Sequence, residues 1–598
     1  MCGIIGYLGN KRALEILLDG LEKLEYRGYD SCGLVVFNSS QDYYLQKTVG
    51  STKTLREKIK ELFQGNWGIA HTRWATHGGV TDFNAHPHFD CHQEIFVVHN
   101  GIIENFKEIK QKLLEKGHKF SSETDTEVFA HLVEDYLKLE RSLEEAIKKA
   151  IKEIEGTFAF LVVSKNEPEK IIGIKKSSPL ILGVGKNEYL LASDPTPISF
   201  LTKNVVYLDD YDMVILKKDG FQIFSLKENK YKKPKINSID WEIKTEQSNI
   251  FEHYMLKEIF EEAKAFGETI KDKIQEKEVV FKELKDLKME KINKIILTGC
   301  GTAYYACLYG KYLFEDYLKK ETRVEIASEL RYENYPYDRK TLFICISQSG
   351  ETIDTLEALK IAKEKGAITV GIINVPGSSM TRIVDYLILT KAGPELAVAS
   401  TKAFISQLAI LYLLAFYFAK KKNPDYLYEF LSLRNKIEEM LAKKEEIENL
   451  AKNLINFKNF YYLGRKYEYP IALEGALKLK EIAYVHAEGY PAGEMKHGPI
   501  ALIDENFPTF ILAPQDSLFE KSISNLEEIK ARKGKIILIS DSEKNFEVYS
   551  QIKIPQTKEE FYPFLIAPTV HLFAYYFAKH LKREIDRPRN LAKSVTVE

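Results

Sequence analysis

Cys2 is the second residue of the chain and is followed by Gly3-Ile4-Ile5-Gly6. Removal of Met1 before a small side chain would leave Cys2 with a free α-amine, a group whose reference pKa is about 7.7–8.0. Such an amine is a usable general base at neutral pH, on the carbon next to the one that carries the thiol. A terminal thiol with its own amine is a self-contained nucleophile–base pair. Asn100 offers a side-chain amide donor and Gly101 an unhindered backbone N–H. Both suit an oxyanion hole, where one donor is typically worth about 10²–10³ in rate. The run His71-Thr72-Arg73-Trp74-Ala75-Thr76-His77-Gly78 follows a strand-like segment and packs many polar groups into one turn. Ser122-Glu123-Thr124-Asp125-Thr126 reads by itself as a helix-capping sequence.

A second kind of chemistry is written further along. Ser347-Gln348-Ser349-Gly350-Glu351-Thr352 lies between a strand-like run and a helix. Its three hydroxyls, the Gln348 amide and the first N–H groups of the helix would favour a phosphate by hydrogen bonding and by the helix dipole. Gly301-Thr302 is shorter than either glycine-rich fingerprint and is weak by itself. Lys593 lies near the chain end among Leu591, Ala592, Val595 and Val597, an apolar setting that suggests docking rather than fraying. His71, His77, His86, His88, His92 and His99 fall within 29 residues. None of them has a tight metal-ligand spacing, so no metal site is expected.

The elements that must hold these groups fall into distinct stretches. A chain of 598 residues is too long for one core. Residues 1–225 mix short strands with a few helices, an α+β pattern of packed sheets and helices. Strands are expected at Gly3–Leu8, Gly33–Phe37, Gly68–His71, Glu94–His99, Phe158–Val163 and Tyr189–Ala192, and amphipathic helices at Lys11–Leu24 and Thr126–Lys138. Residues 226–250 are polar and Lys-rich and read as a linker, followed by a helix over about 251–271. From residue 291 the pattern becomes strand, turn, helix, with strands at Lys294–Thr298, Thr341–Ile346 and Ala367–Ile373, as in a parallel doubly wound sheet. It recurs at Asn459–Leu463, Thr509–Ala513 and Lys535–Ser540. Two similar α/β domains in tandem, 251–430 and 431–598, are the simplest reading.

Bulk composition narrows the function classes. The chain is 45% hydrophobic and 29% charged, with a net charge of -1. A nucleic-acid surface would need a basic excess, so no such partner is expected. The six cysteines contain no CxxC pair and give no disulfide framework, which fits a reducing compartment. No basic stretch followed by an apolar run opens the chain, so a cytoplasmic protein is expected. The apolar segment Ala403–Ala419 is short for a membrane span and is interrupted by Ser406 and Gln407. It reads as a buried helix, and no membrane partner is expected.

Cys2-Gly3-Ile4, Tyr26-Arg27-Gly28-Tyr29-Asp30-Ser31, the His71–Gly78 run, His99-Asn100-Gly101 and Thr124-Asp125-Thr126 together resemble the class II, N-terminal-nucleophile glutamine amidotransferases. The resemblance implies that Cys2 attacks the glutamine amide and that Asn100 and Gly101 hold the oxyanion. It implies that Arg73 grips the α-carboxylate of glutamine and Asp125 its α-amine. Thr76, His77 and His86 would line the site, and Trp74 would gate a sequestered route for ammonia.

Cys300-Gly301-Thr302, Ser347–Thr352, Val398-Ala399-Ser400-Thr401-Lys402, Glu474–Glu481, Gly493-Glu494-Met495-Lys496-His497-Gly498-Pro499 and the tail from Pro588 to Glu598 extend the resemblance end to end. The C-terminal half is similar to tandem sugar-isomerase domains with flavodoxin-like parallel sheets. The whole chain resembles the isomerising glutamine–fructose-6-phosphate aminotransferase family. Glutamine and fructose 6-phosphate would then be the substrates, glutamate and glucosamine 6-phosphate the products, with no cofactor. Thr302, Ser347, Gln348, Ser349, Thr352 and Val398 would hold the sugar phosphate. A ketone oxygen is not displaced by ammonia without imine chemistry, and Lys593 would be the imine-forming lysine. Glu481 would move the proton between C1 and C2, with Lys478 at i−3 on the same helix. His497 would open the sugar ring of a neighbouring subunit, implying a homodimer. The family often has Ser where this chain has Ala303, so one phosphate contact is expected to be missing. A different acceptor, sugar-phosphate deamination and a non-enzymatic sugar-phosphate sensor are the competing readings. The sensor should lack Cys2, Glu481 or Lys593.

Overall fold

A computed structural model describes residues 2–60, 63–238, 251–276, 278–420 and 424–596. The chain forms two compact units, Met1–Glu246 with Ser594–Glu598, and Gln247–Lys593.

In the first unit alternation along the strands builds two antiparallel sheets. The eight-stranded sheet runs, in spatial order, Asn237–Ser238, Asn204–Tyr207, Ile181–Val184, Tyr189–Ala192, Gly3–Leu8, Trp67–Arg73, Ser31–Phe37 and Tyr43–Val49. The seven-stranded sheet runs Lys230–Lys232, Gly220–Ser225, Asp212–Lys217, Lys170–Lys176, Gly156–Ser164, Ile95–Ile103 and His88–Phe89. Ile4, Leu8, Val35 and Ile69 face Val98, Leu161 and Val163 across the sheet interface. The intervening Ile5 and Tyr7 point the other way, onto the helix Ala13–Leu24. That switch between neighbours is the period-2 rule of a strand buried on both faces. The helices Glu127–Leu137 and Leu143–Ala150 cover the outer face of the second sheet. The result fits the α+β unit of sandwiched sheets expected from sequence, with helices added on both outer faces.

Two expectations for this unit change. The strand expected to stop at His99 continues to Ile103, because its pairing with Gly156–Ser164 continues through Asn100↔Ala159 and Gly101↔Phe158. The stretch expected as a linker over 226–250 contains the strands Lys230–Lys232 and Asn237–Ser238, which extend both sheets past residue 225. Residues 239–250 lie outside the described residues.

The second unit holds two five-stranded parallel sheets. The first runs Thr322–Ile326, Lys294–Gly299, Thr341–Ser347, Ile368–Ile373 and Tyr386–Leu389. The second runs His486–Pro491, Asn459–Gly464, Thr509–Leu512, Ile536–Ser540 and Ser550–Lys553. Both have the order 2-1-3-4-5, which places ligands beyond the C-terminal strand ends at the switch point. Each sheet has a cluster of its own on one face, around Phe343 and Leu359 in the first and Ile511 and Leu538 in the second, and the other faces share a core. The helices Thr302–Leu318, Lys402–Phe418, Glu468–Ala483 and Pro563–His580 contribute to one shared apolar cluster. The boundary expected between residues 430 and 431 falls inside the helix Pro424–Ala442. The helix expected over 251–271 is two helices, Tyr254–Phe260 and Glu262–Ile270, meeting at Glu261. The segment Lys402–Phe418 is the buried helix anticipated from its composition. A second segment, Glu559–His580, is long and apolar enough to cross a membrane, but its apolar window is wholly buried inside the unit.

Candidate active sites

Strand register brings the first set of residues together. Gly3 pairs with Thr72, so Cys2 emerges beside the end of the Trp67–Arg73 strand. The Trp74 N–H donates to the Cys2 sulfur at 3.2 Å, and the Trp74 carbonyl lies 3.5 Å from it. Burial raises the Cys2 thiol above its ordinary pKa, while the Trp74 N–H and Arg73 pull it down. The strand Ile95–Ile103 of the other sheet passes the same place. The Asn100 amide nitrogen donates to the Cys2 carbonyl at 2.9 Å, and the buried Asn100 Oδ1 has no partner among the described residues. Gly101 has φ +139°, and a Cβ there would stand 2.0 Å from the Thr157 carbonyl. Only glycine fits that position without moving the paired strand.

The turn after the nucleophile's neighbour is held from inside. The Arg73 guanidinium donates to the carbonyls of His77 at 2.5 Å, Gly79 at 3.1 Å and Gly78 at 3.2 Å. Asp30 accepts from the Ala75 N–H at 2.8 Å. Trp74 packs edge-on against Tyr29, with ring centroids 5.8 Å apart. Thr76 is exposed and His77 half-buried, its ring edge-on to Phe106. Asp125 is buried and accepts from the Ile103 N–H at 2.8 Å.

His86 belongs to a buried histidine stack rather than an open wall. Its ring lies 3.9 Å from that of His71 and its Nδ1 accepts from the His99 N–H. Burial lowers His71 to about 3 and pushes His86 and His99 down too, so these rings stay neutral. Sequence reasoning missed Glu127. Its carboxylate accepts from the N–H and hydroxyl groups of both Ser121 and Ser122. Burial opposes its charge, but His131 and these serine contacts hold it down at about 2. The 122–126 run is therefore tied back by a carboxylate inside the helix, not by a simple serine cap.

In the second unit the loop after strand Thr341–Ser347 holds the serine and threonine hydroxyls close together. The Ser347 hydroxyl accepts from the Gly350 N–H at 2.9 Å and lies 3.3 Å from the Thr352 hydroxyl. Ser349 accepts from the Glu351 N–H at 3.1 Å. The Gln348 carbonyl accepts from the Val375 N–H, and its side chain is half-buried. Gly350 has φ +66°, and a Cβ would meet Ser378 Oγ at 2.0 Å and its Cβ at 2.8 Å. This left-handed turn aims the helix Ile353–Glu364 at these hydroxyls.

Thr302 is placed differently from a free phosphate ligand. Its buried hydroxyl donates to Glu474 at 2.9 Å, linking the two α/β repeats. Glu474 is 3.4 Å from Lys478 Nζ, which lies 2.5 Å from Glu481. Burial raises Glu481 despite the nearby Lys478 ammonium. His571 completes this network, 2.7 Å from Glu262 and 3.4 Å from Glu474.

The Lys593 ammonium pairs with Glu395 at 2.5 Å, with side-chain exposures of 4% and 0%. Such exclusion of water fixes the lysine in one position. Glu395 also accepts from the Ser400 hydroxyl and from the N–H groups of Thr401 and Ala403. Burial opposes its charge, and Lys593 with these donors holds it at about 2. The Val398 N–H donates to the Asp586 carbonyl, fastening the segment that leads to the tail. His497 is exposed at the end of the turn Ala492–His497. Ser594 and Thr596 are buried and Val595 is exposed; Val597 lies outside the described residues. Sequence reasoning missed Glu395, Glu262 and His571.

One further set was not anticipated. Cys91, His118, His131 and Glu134 converge in the first unit, apart from the histidine stack.

The fold and these constellations define an N-terminal-nucleophile glutamine amidotransferase joined to tandem sugar-isomerase domains. The glutamine amidotransferase domain family matches residues 71–199, and the SIS domain family matches 288–417 and 453–581. Curated proteins named glutamine–fructose-6-phosphate aminotransferase (isomerizing) are similar over the full length of both chains: 45% identical in Aquifex aeolicus and 46% in Clostridium tetani. The solved C-terminal domain of glucosamine-fructose-6-phosphate aminotransferase from Francisella tularensis is 39% identical, with a TM-score of 0.55, covering 57% of this chain and 99% of that one. The chain belongs to the isomerizing glutamine–fructose-6-phosphate aminotransferase family.

Proposed function

We propose that this chain moves the amide nitrogen of glutamine to fructose 6-phosphate and isomerises the product to glucosamine 6-phosphate, releasing glutamate. The α-amine of processed Cys2 takes the thiol proton. The sulfur attacks the amide carbon, and the Asn100 amide and Gly101 N–H receive the oxyanion. Ammonia leaves, and water hydrolyses the thioester to glutamate. Arg73 and Asp125 hold the two ends of the glutamine backbone, with Thr76, His77 and His86 around it and Trp74 restraining the escape of ammonia.

The sugar reaction follows from the buried lysine. The phosphate rests on Ser347, Gln348, Ser349 and Thr352 at a helix N-terminus, with Thr302 and Val398 shaping the pocket. The Lys593 ammonium releases its proton to solvent, and the free amine condenses with the C2 ketone, losing water; Glu395 holds the lysine in place. Ammonia displaces the lysine to give the fructosyl imine. Glu481 then takes a proton from C1 and returns it at C2, giving the aldose amine; burial suits it to this task by raising its proton affinity. Lys478 positions Glu481. His497 opens the ring of a sugar bound to a second copy of the chain, so the working form is a homodimer.

The observation that carries this reading is the buried Lys593–Glu395 pair, because a sensor or a simple glutaminase has no use for a desolvated lysine there. Product analysis tests it: glutamine and fructose 6-phosphate should give glutamate and glucosamine 6-phosphate in equal amounts. Glutamate formed without aminosugar would refute the acceptor assignment.

A further inference from the structure

We propose that Cys91, His118, His131 and Glu134 form a structural site for one divalent, zinc-like cation. Their four ligand atoms all lie within 4.8 Å of one another. The two imidazole Nδ1 atoms are 3.3 Å apart. The Cys91 sulfur is 3.5 Å from each of them. Glu134 Oε2 is 3.1 Å from His118 Nδ1 and 3.2 Å from His131 Nδ1. Around a tetrahedral zinc with bonds of about 2.0–2.1 Å to nitrogen and about 2.3 Å to sulfur, the N···N edge is about 3.3 Å and the S···N edges about 3.6 Å. The observed separations match those edges.

The surroundings favour lone pairs pointing inward. His118 Nε2 lies 2.9 Å from Asp135 Oδ1. A carboxylate there accepts a hydrogen bond from Nε2–H and leaves the Nδ1 lone pair as a ligand, the usual outer-shell arrangement of a metal-bound histidine. His131 Nε2 has a more distant carboxylate, Glu127 Oε1 at 3.7 Å. When a cation binds, the Cys91 proton leaves to solvent as the thiolate forms. One thiolate and one carboxylate balance a divalent charge. Four protein ligands close the coordination sphere, which marks a structural rather than a catalytic site.

The site joins three separate pieces of chain: the turn after strand His88–Phe89, residue 118 beyond the helix Phe106–Glu115, and the helix Glu127–Leu137. That helix follows directly on Asp125 and Thr126, so the cation would anchor the element behind the proposed glutamine pocket. The expectation of no metal, drawn from the histidines at 71–99, is thereby revised: only residues outside that set, joined by Cys91, make the ligand group.

The test is metal analysis of the purified full-length chain, then cobalt(II) substitution. We expect about one zinc per chain after dialysis, and a cobalt form with tetrahedral visible bands and a thiolate charge-transfer band. Cys91→Ser should abolish the charge-transfer band, and Cys2→Ala should retain it. His131→Gln should lower the bound metal at least tenfold while remaining folded by circular dichroism. A chain without stoichiometric metal and without cobalt bands would overturn the site. So would a charge-transfer band that survives Cys91→Ser or disappears with Cys2→Ala.

Discussion

The Lys593 ammonium and the Glu395 carboxylate form a buried ion pair 2.5 Å long although they are 198 positions apart in the chain. Glu395 is itself anchored by two backbone N–H groups and a serine hydroxyl. A buried carboxylate so well satisfied can hold a cation without collapsing toward it. The lysine is thus positioned by a structure independent of the tail that carries it.

Lys593→Arg keeps the positive charge facing Glu395 but cannot form an imine. We expect aminosugar formation to fall by roughly 10³-fold or more, the scale of losing an essential reacting group. Glutamine hydrolysis should survive. Coupled assays of glutamate and glucosamine 6-phosphate on one preparation measure both.

Asn100→Ala should reverse that pattern. The lost donor is worth about 10²–10³ in glutaminase kcat if it serves the oxyanion. Sugar isomerisation in the second unit should be unchanged. Equal loss of both activities would point to misfolding instead.

How much of this could be read from sequence differs by residue. The strand Gly3–Leu8 was legible to its ends because its β-branched run is bounded by Cys2 and Gly9. Asn100 and Gly101 were legible as a pair, but their place inside a strand was not, since glycine ordinarily signals a break. Cross-chain partners carry no periodic signal, so Glu395 beside Lys593 and His571 beside Glu262 were invisible. His131 and Glu134 share a helix face at i, i+3, yet Cys91 and His118 join them only through folding. The core shared between the tandem sheets was hidden for the same reason: each repeat looks complete by itself.

Co-expressing Lys593→Arg with His497→Ala tests the shared site. Each variant alone should make almost no aminosugar, whereas mixed dimers hold one intact site and should recover a measurable fraction. Recovery absent from dimers shown to be mixed would place His497 in its own chain's reaction or outside it.

The buried His571 gives a pH signature. Burial lowers its pKa, but Glu262 and then Glu474 outweigh this and raise it to about 9. A folded-state value above the ordinary 6.5 stabilises the fold fully below pH 6.5, and this stabilisation is lost as pH rises through about 9. The contribution is roughly 3 kcal/mol at most, and Glu262, itself raised by burial, takes back part of it. Tm measured from pH 6 to 10 should fall more steeply for the native chain than for His571→Gln. Parallel curves would contradict the assignment.

The most direct measurement follows the nitrogen itself. Glutamine labelled with nitrogen-15 at the amide is incubated with fructose 6-phosphate in unlabelled ammonium, and the aminosugar is analysed by mass. We expect the label in nearly every glucosamine 6-phosphate formed, in step with glutamate release. Unlabelled aminosugar, or labelled ammonium accumulating in solution while no aminosugar forms, would contradict transfer between the two centres.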